Sequence, residues 1–289
     1  MPSRSPFDHL VVTYHYVRPQ NSDGVTGITP AEFSEQLRAI RSQYTVVGVD
    51  DFLRRRELET GLALITFDDA LRDQYDHALP ILTELNVPAV FFVPMRPYSE
   101  EQDRWCPQHL LHALAQELGW QEFERRAMKY VGDVEIDAPA MNRLYHYESP
   151  HKRPLKYIFA FSLTPPKAAA VLRKINADVG LKAEDWFMTV DQLREIQNAG
   201  HALGGHGFDH AAYSTLTPEQ QAVDLHHAIS TMNRIFGARP RTMAYPFGRS
   251  SAGTAALARA CGYTHCFGTD ERVDAKLVMD KLGAAHASH

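Results

Sequence analysis

The stretch Leu62-Ala63-Leu64-Ile65-Thr66-Phe67-Asp68-Asp69 ends an apolar run in two adjacent carboxylates. The residues from Leu62 to Phe67 predict a short buried strand. In α/β folds, loops at the carboxyl ends of the strands carry the chemistry, because a rigid sheet holds them in position. Acidic residues also favour the first turn of a helix, so Asp68 and Asp69 taken alone are equally compatible with a helix cap. A second motif is needed to decide between the two interpretations.

Two histidines supply that second motif. His206 and His210 lie four residues apart, directly after another strand-like segment. On a helical turn, residues at this spacing share a face, so both imidazoles can reach one ion. Together with Asp69 they offer two nitrogens and one oxygen, which is the three-ligand set of a hydrolytic zinc-type site with a position left for water.

The other histidines receive simpler interpretations. The chain contains 15 histidines, and the neighbouring pairs His109 with His112 and His226 with His227 are interpreted as residues of helix surfaces. His15 comes directly after the first predicted strand and should therefore lie at the same edge as the acidic pair. A core or ligand-supporting role is its simpler interpretation, and direct contact with substrate is the alternative.

Strand and helix patterns alternate along most of the chain, which predicts a mostly parallel sheet. Capping-box sequences that begin at Thr29, Thr189 and Thr217 predict the starts of three helices. Residues 95–187 interrupt the alternation with helical patterns and no comparable strand signal. We interpret residues 1–289 as a single catalytic domain with a helical insertion at 95–187.

The insertion leaves one predicted strand and returns just before the next, so we expect it to lie over the carboxyl-end face of the sheet. Helices are predicted at about 108–118 and 120–130, and Thr164-Pro165 opens another that Gly180 should end. Its aromatic residues either pack the core of the insertion or line a sugar site. They are Trp105, Trp120, Tyr145, Tyr147, Tyr157, Phe159 and Phe161.

Composition excludes several classes of protein. A net charge of -5 and a pI near 6.3 provide no basic surface for nucleic acid. No apolar run approaches the length of a membrane span, and no leader-like apolar segment follows the amino terminus, so we expect a cytoplasmic protein. The three cysteines, Cys106, Cys261 and Cys266, lack C-x-x-C spacing, which favours free thiols over disulfides or a cysteine metal site.

Three segments carry a family resemblance. Thr66-Phe67-Asp68-Asp69, His206-x-x-x-His210 and Ala244-Tyr245-Pro246-Phe247-Gly248 occur in this order, each after a predicted strand. They resemble the first three motifs of the polysaccharide deacetylase family (NodB homology, carbohydrate esterase family 4), in its branch with an A-Y-P-[YF]-G motif. The likeness covers residues 8 to 95 and 186 to 270. It implies an α/β fold, the distorted, incomplete (β/α) barrel of this family, here with the helical insertion.

The resemblance implies the same metal ligands as the residue pattern, Asp69, His206 and His210. Zinc is the expected ion, and cobalt, nickel and manganese are compatible with these ligands. The ion would polarise an amide carbonyl and lower the pKa of a water molecule, while Asp68 takes the proton as general base. The resemblance further implies that the backbone N–H of Phe247 stabilises the oxyanion.

The chain departs from the family pattern at several positions. Gly207 replaces the Ser or Thr that usually follows the first motif histidine, and Ala244 stands where an arginine often orients the catalytic aspartate. Arg249 could substitute for that arginine, although a surface position is its simpler interpretation. Tyr245 and Arg249, together with His15, are candidates for supporting the site or contacting substrate. No histidine follows the late apolar stretch in register, so no general acid is assigned.

Two classes of function remain open from sequence. The first is a metal-dependent amidohydrolase that removes an N-acyl group, expected to be acetyl, from an amino sugar. The expected substrate is a sugar-containing precursor of an envelope or surface polysaccharide, and a non-sugar amide is a variant. The second class is a catalytically silent module that keeps the metal site to recognise a sugar. The sequence does not indicate an oligomeric state.

Overall fold

The computed structural model describes residues 9–286 apart from Tyr147 and Ala252, with side chains described as far as Leu282. The strands are β1 (Leu10–Tyr14), β2 (Thr45–Val46), β3 (Leu62–Asp68), β4 (Ala89–Val93), β5 (Ala202–Gly205), β6 (Thr242–Ala244), β7 (His265–Phe267) and β8 (Val273–Asp274). The α-helices are α1 (Pro30–Gln43), α2 (Val49–Arg55), α3 (Leu79–Glu84), α4 (Pro107–Leu118), α5 (Trp120–Val131), α6 (Ala138–Leu144), α7 (Arg153–Tyr157), α8 (Pro165–Val179), α9 (Val190–Asn198), α10 (Pro218–Phe236), α11 (Thr254–Ala260) and α12 (Val278–His286).

All the strand pairs among the described residues are parallel. The strand order is β7-β6-β5-β4-β3-β1-β8, and β2 pairs with β3 beside this path. The sheet curls into an open barrel surrounded by helices, which confirms the distorted (β/α) barrel predicted from the sequence. Because the strands run in the same direction, their carboxyl ends meet at one edge, where the acidic pair and the histidine motif both lie.

Residues of β3 alternate between two apolar clusters. Ala63, Ile65 and Phe67 belong to the larger cluster, where the Phe67 ring stacks on Phe91 with centroids 4.7 Å apart. Leu62 and Leu64 belong to a smaller cluster on the other face. Every residue of β3 is buried, so this strand anchors the sheet, and the residues that follow it have a rigid support.

Local sequence signals account for several helix ends. Thr29, Thr189 and Thr217 each form the predicted capping box, in which the Thr side chain and the third helical residue exchange hydrogen bonds. Helix α8 ends at Gly180 with φ 80°, and α10 ends at Gly237 with φ 68°. Both glycines adopt the left-handed conformation that closes a helix.

Three elements are short or irregular. Residues 44–49 contain only the two-residue strand β2, because Gly48 caps the start of α2. Residues 75–85 form a π-helical turn at Gln74–Ala78 followed by α3, and the change of geometry occurs beside Pro80, which cannot donate a backbone hydrogen bond. Strand β8 has two residues, which is too short for a sequence pattern to indicate it, and helix α12 follows it.

Helices α4, α5 and α8 of the insertion share an apolar cluster of their own. Most of the insertion's aromatic residues are buried, namely Trp105, Trp120, Tyr145, Tyr157 and Phe159. Phe161 instead contacts the Phe247 ring with centroids 5.6 Å apart, and Tyr147 lies outside the described residues. Packing the insertion is therefore the main role of these rings, and Phe161 is the one that meets the barrel edge at Phe247.

Two further sequence expectations can be compared with the described residues. Cys106, Cys261 and Cys266 are free thiols there, as predicted. In the part of the chain that the structure describes, no helix has the length and apolar character needed to cross a membrane.

Strand β5 needs glycine where it approaches its neighbours. A Cβ at Gly204 would overlap the fully buried ring of Phe92 and would lie 3.0 Å from the carbonyl oxygen of Thr242. We expect Gly204→Ala to lower the free energy of unfolding by about 1–3 kcal/mol, the usual cost of overpacking a core, as measured by urea denaturation.

Gly253→Ala is the matched control. Gly253 has φ -85° and a Cβ there would meet no atom within 4 Å. A change of similar size in the two variants would show that close packing is not the reason for glycine at position 204.

Candidate active site

Backbone strain is concentrated around the acidic pair. Among the described residues five non-glycine positions have positive φ, and four of them surround this site: Asp69 (81°), Ala70 (54°), His210 (55°) and Phe247 (56°), the fifth being Asn86. Such conformations cost free energy and cluster where geometry serves a function. The sharp change of direction after β3 points the Asp68 and Asp69 carboxylates differently.

Three imidazoles converge on one oxygen of Asp69. The Nε2 atoms of His210, His109 and His206 lie 3.0, 3.2 and 3.4 Å from Asp69 Oδ1. Ligand atoms about 2.0–2.1 Å from a tetrahedral zinc ion are about 3.3 Å apart. The distance from Asp69 Oδ1 to each of these nitrogens is therefore close to that between two ligands of one ion.

Hydrogen bonding supports the same interpretation. In the described part of the chain, Asp69 Oδ1 accepts no hydrogen bond of acceptable geometry, although it is buried. An unpaired buried polar atom costs about 1–3 kcal/mol, which a bound cation would offset. His206 Nδ1 lies 2.8 Å from the carbonyl oxygen of Ala244, and a backbone bond of this kind orients the other nitrogen of a metal-binding histidine. The residues present therefore fit a divalent cation.

The structure brings the predicted donors His206 and His210 to Asp69, and the group of donor atoms that lie within 4.8 Å of one another among the described residues is Asp69, His109 and His210. The interpretation of His109 as a helix-surface residue is wrong, because His109 is 1% exposed and faces Asp69. His112, one turn later on α4, is half-buried and contacts Tyr16 instead. Sequence spacing carries no signal for His109, since its approach to Asp69 depends on how the insertion folds back.

The two motif histidines do not lie on a helical turn, contrary to expectation. Residues 206–210 form a loop in which Gly207 has φ 71° and His210 has φ 55°. Asp224 of α10 steadies this loop by accepting hydrogen bonds of 3.0 Å from the N–H groups of Phe208 and Asp209. The carboxylate of Asp224 therefore supports this loop, in which Gly207 lacks the side-chain hydroxyl of a Ser or Thr.

Arg272 is the cation that holds Asp68. Its guanidinium donates hydrogen bonds of 2.7 and 2.8 Å to the two oxygens of Asp68, and both side chains are almost fully buried. Arg249, the predicted substitute for the missing arginine, is not the residue that makes this contact. Arg272 was missed because it precedes β8, and its position beside Asp68 follows from the pairing of β8 with β1.

Charge around Asp68 favours the ionised carboxylate. Burial raises the pKa of Asp68, but the positive charges of Arg272, His206 and His15 outweigh burial, so the pKa lies below its usual value. His15 Nε2 is 3.8 Å from Asp68 Oδ2, and its side chain is 42% exposed. His15 therefore lies at the predicted edge, between the buried carboxylate and solvent.

The motif histidines differ in charge preference. Burial lowers the pKa of His206, but Asp68 and Asp69 more than offset this effect, so its pKa is raised. Burial lowers the pKa of His210 to about 4, which keeps this imidazole neutral. Both properties suit a metal ion, because a neutral imidazole can be a ligand and a position that favours positive charge also favours a cation.

The third motif forms a single 3-10 turn, Pro246–Gly248, closed by a hydrogen bond from Gly248 N–H to the carbonyl oxygen of Tyr245. The first N–H group of such a turn has no partner within it, and here that group belongs to Phe247. The Phe247 ring lies 5.0 Å from that of His210. Tyr245 is buried in an apolar cluster behind the turn and makes ring contact with Tyr213.

A narrow cavity of about 30 Å³ adjoins His210 and Phe247 and is also lined by Phe159 and Leu163 of the insertion. A wider groove of about 750 Å³ is lined by residues such as Arg104 and contains none of the converging donors. The small cavity is the one next to the converging donors.

A family model for polysaccharide deacetylases matches residues 55–156 and 167–266. Among solved structures, IcaB from Ammonifex degensii is similar with a TM-score of 0.57 and 19% identity, over 96% of this chain and 97% of that one. The Streptococcus pyogenes deacetylase PplD has a TM-score of 0.54 and 15% identity, over 89% of this chain and 82% of that one.

A de-N-acetylase from Aggregatibacter actinomycetemcomitans is similar with a TM-score of 0.51 and 16% identity, over 92% of this chain and 93% of that one. At these identities the structural likeness shows a shared fold. The comparison with curated proteins finds no match. The segments matched by the family model make up most of the chain and contain the acidic pair and the motif histidines, so the chain belongs to the polysaccharide deacetylase family.

Proposed function

We propose that this protein is a metal-dependent hydrolase that removes the acetyl group from the nitrogen of an amino sugar. The observation that carries the proposal is the convergence of buried imidazole nitrogens on Asp69 Oδ1 beside a second, separately held carboxylate. Membership of the deacetylase family supports hydrolysis of a carbon–nitrogen bond. The geometry adds a site suited to a divalent cation.

Asp69, His206 and His210 would hold the ion. When bound, the ion supplies a Lewis acid that lowers the pKa of water and polarises the acyl carbonyl. Zinc is the ion we propose first, and cobalt, nickel or manganese would suit the same donors.

Asp68 acts as general base and takes a proton from the attacking water. Its bidentate pair with Arg272 favours ionisation and fixes the direction of the carboxylate. The N–H of Phe247 donates to the oxygen that becomes negative in the tetrahedral intermediate, because the 3-10 turn leaves this group without an internal partner. The base and the oxyanion donor thus come from different strand ends.

The substrate we propose is a sugar-containing precursor of an envelope or surface polysaccharide. The cavity beside His210 is lined by the apolar side chains of Phe159 and Leu163 together with polar residues such as Gln108, and it is suited to a short acyl group. The segment 95–187 places Phe159, Leu163 and Phe161 beside this edge, which favours a compact substrate over a long polymer. The cytoplasmic location expected from the sequence stays a prediction.

Metal analysis combined with a substrate panel tests this function. We expect the purified protein to contain a stoichiometric divalent metal and to release acetate from at least one N-acetyl amino sugar. A strong chelator should abolish release, and added zinc or cobalt should restore it. Bound metal without turnover on any sugar would favour a silent sugar-binding module, and turnover on non-sugar amides in place of sugars would redirect the substrate class.

Asp68→Asn should separate catalysis from metal binding. The amide cannot accept the proton of water, so kcat should fall by about 10²- to 10⁴-fold, while metal content stays at the wild-type value. Asp76→Asn is the control, since Asp76 is exposed. Near-normal turnover in Asp68→Asn would refute the assignment of the base.

Arg272→Lys should raise the pKa of Asp68. Lysine keeps the charge but cannot form the bidentate pair, so burial would have more influence on the carboxyl. The base would then stay protonated to higher pH, and the acidic limb of kcat/KM should move upward in pH. Arg241→Lys, at an exposed position before β6, is the control. An unmoved acidic limb in Arg272→Lys would argue against this role.

A further inference from the structure

His109 is delivered to the barrel by the insertion. Its helix, α4, begins at Pro107, so the imidazole projects from the first turn. The side chain is 1% exposed, and its Nε2 lies 3.2 Å from Asp69 Oδ1, between the distances found for His210 and His206. His109 and His210 have ring centroids 4.8 Å apart. His109 Nε2 therefore lies as close to Asp69 Oδ1 as the nitrogens of the motif histidines do.

Both ring nitrogens of His109 lack a hydrogen bond of acceptable geometry among the described residues. A structural histidine buried to this extent normally has its nitrogens paired. His109 Nε2 lies near Asp69 Oδ1, but the angle between the two groups does not allow a hydrogen bond. Two atoms that lie side by side in this way are placed like two ligands of one ion.

We propose that His109 is a further protein ligand of the metal, so that the donor set is Asp69 with three histidines. Asp69, His109 and His210 offer donor atoms that all lie within 4.8 Å of one another. This proposal rests on the metal site of the proposed function and extends it. The ion would then bind the insertion to the barrel, because one of its ligands belongs to α4.

Four protein donors would limit the access of water to the ion. A four-coordinate site made of protein ligands is closed, whereas a catalytic site needs a position for water. With His109 bound, solvent has access only if the coordination number exceeds four. Cobalt distinguishes these cases, because its d–d absorption is weaker with five or six ligands than with four.

The test is a comparison of metal binding by wild-type protein, His109→Ala and His112→Ala. His112 lies one turn along α4, and its nitrogens contact Tyr16 Oη and Gln108, both at 2.9 Å, so it is a control for changes to the helix. We expect the Kd for zinc, measured by competition with a chelator, to rise at least about 10-fold in His109→Ala. The cobalt spectrum should change in the same variant, and His112→Ala should match the wild type.

Hydrogen exchange on the wild-type protein provides a second measurement that needs no variant. Adding zinc to the metal-free protein should slow exchange in residues 106–111, because the ion would anchor the first turn of α4. Unchanged Kd and cobalt spectrum in a folded His109→Ala would overturn the proposal, and so would exchange at 106–111 that does not respond to zinc. A wild-type protein that binds no metal would instead remove the proposed function itself.

Discussion

A buried carboxylate oxygen with three imidazole nitrogens around it is the constraint on which the rest of this structure depends. Asp69 Oδ1 is removed from water and has three ring nitrogens within 3.4 Å. Such a group is costly to bury unless a positive charge compensates it. The positive φ angles at Asp69 and His210 are consistent with this demand, because each places a group that an extended strand could not direct to the same point.

The second constraint is the ion pair between Asp68 and Arg272, which are 204 positions apart. The pair joins the centre of the sheet to β8 at its end. It also separates the roles of two adjacent carboxylates: Asp69 faces the imidazoles, and Asp68 is held by a guanidinium. A buried pair of this kind is costly to break from one side, so the Asp68 carboxylate is positioned as well as charged.

The insertion contributes to the site through side chains that the barrel strands do not supply. His109 approaches Asp69, Phe161 contacts Phe247, and Phe159 and Leu163 line the small cavity. Its own apolar cluster keeps these residues in place.

Short-range information was sufficient for most elements of the fold. Capping boxes at Thr29, Thr189 and Thr217 and apolar runs such as Leu62 to Phe67 reflect contacts within a few residues, and the sequence states them directly. The same holds for the acidic pair and for His206 and His210, whose positions after strands place them at one edge of a parallel sheet. Short-range information did not predict the short strand β8 or the loop geometry of the histidine motif.

The sequence alone was sufficient to predict the barrel, the family and the strand ends that face the site. The tertiary structure decided which distant groups complete that site: His109 from the insertion, Arg272 beside β8 and Asp224 from α10. The physical reason is that side-chain periodicity specifies which face of an element is buried, whereas a contact between elements depends on their packing and strand pairing. Histidine, arginine and aspartate are common on protein surfaces, so their identity carries no sign of burial until the chain has folded around them.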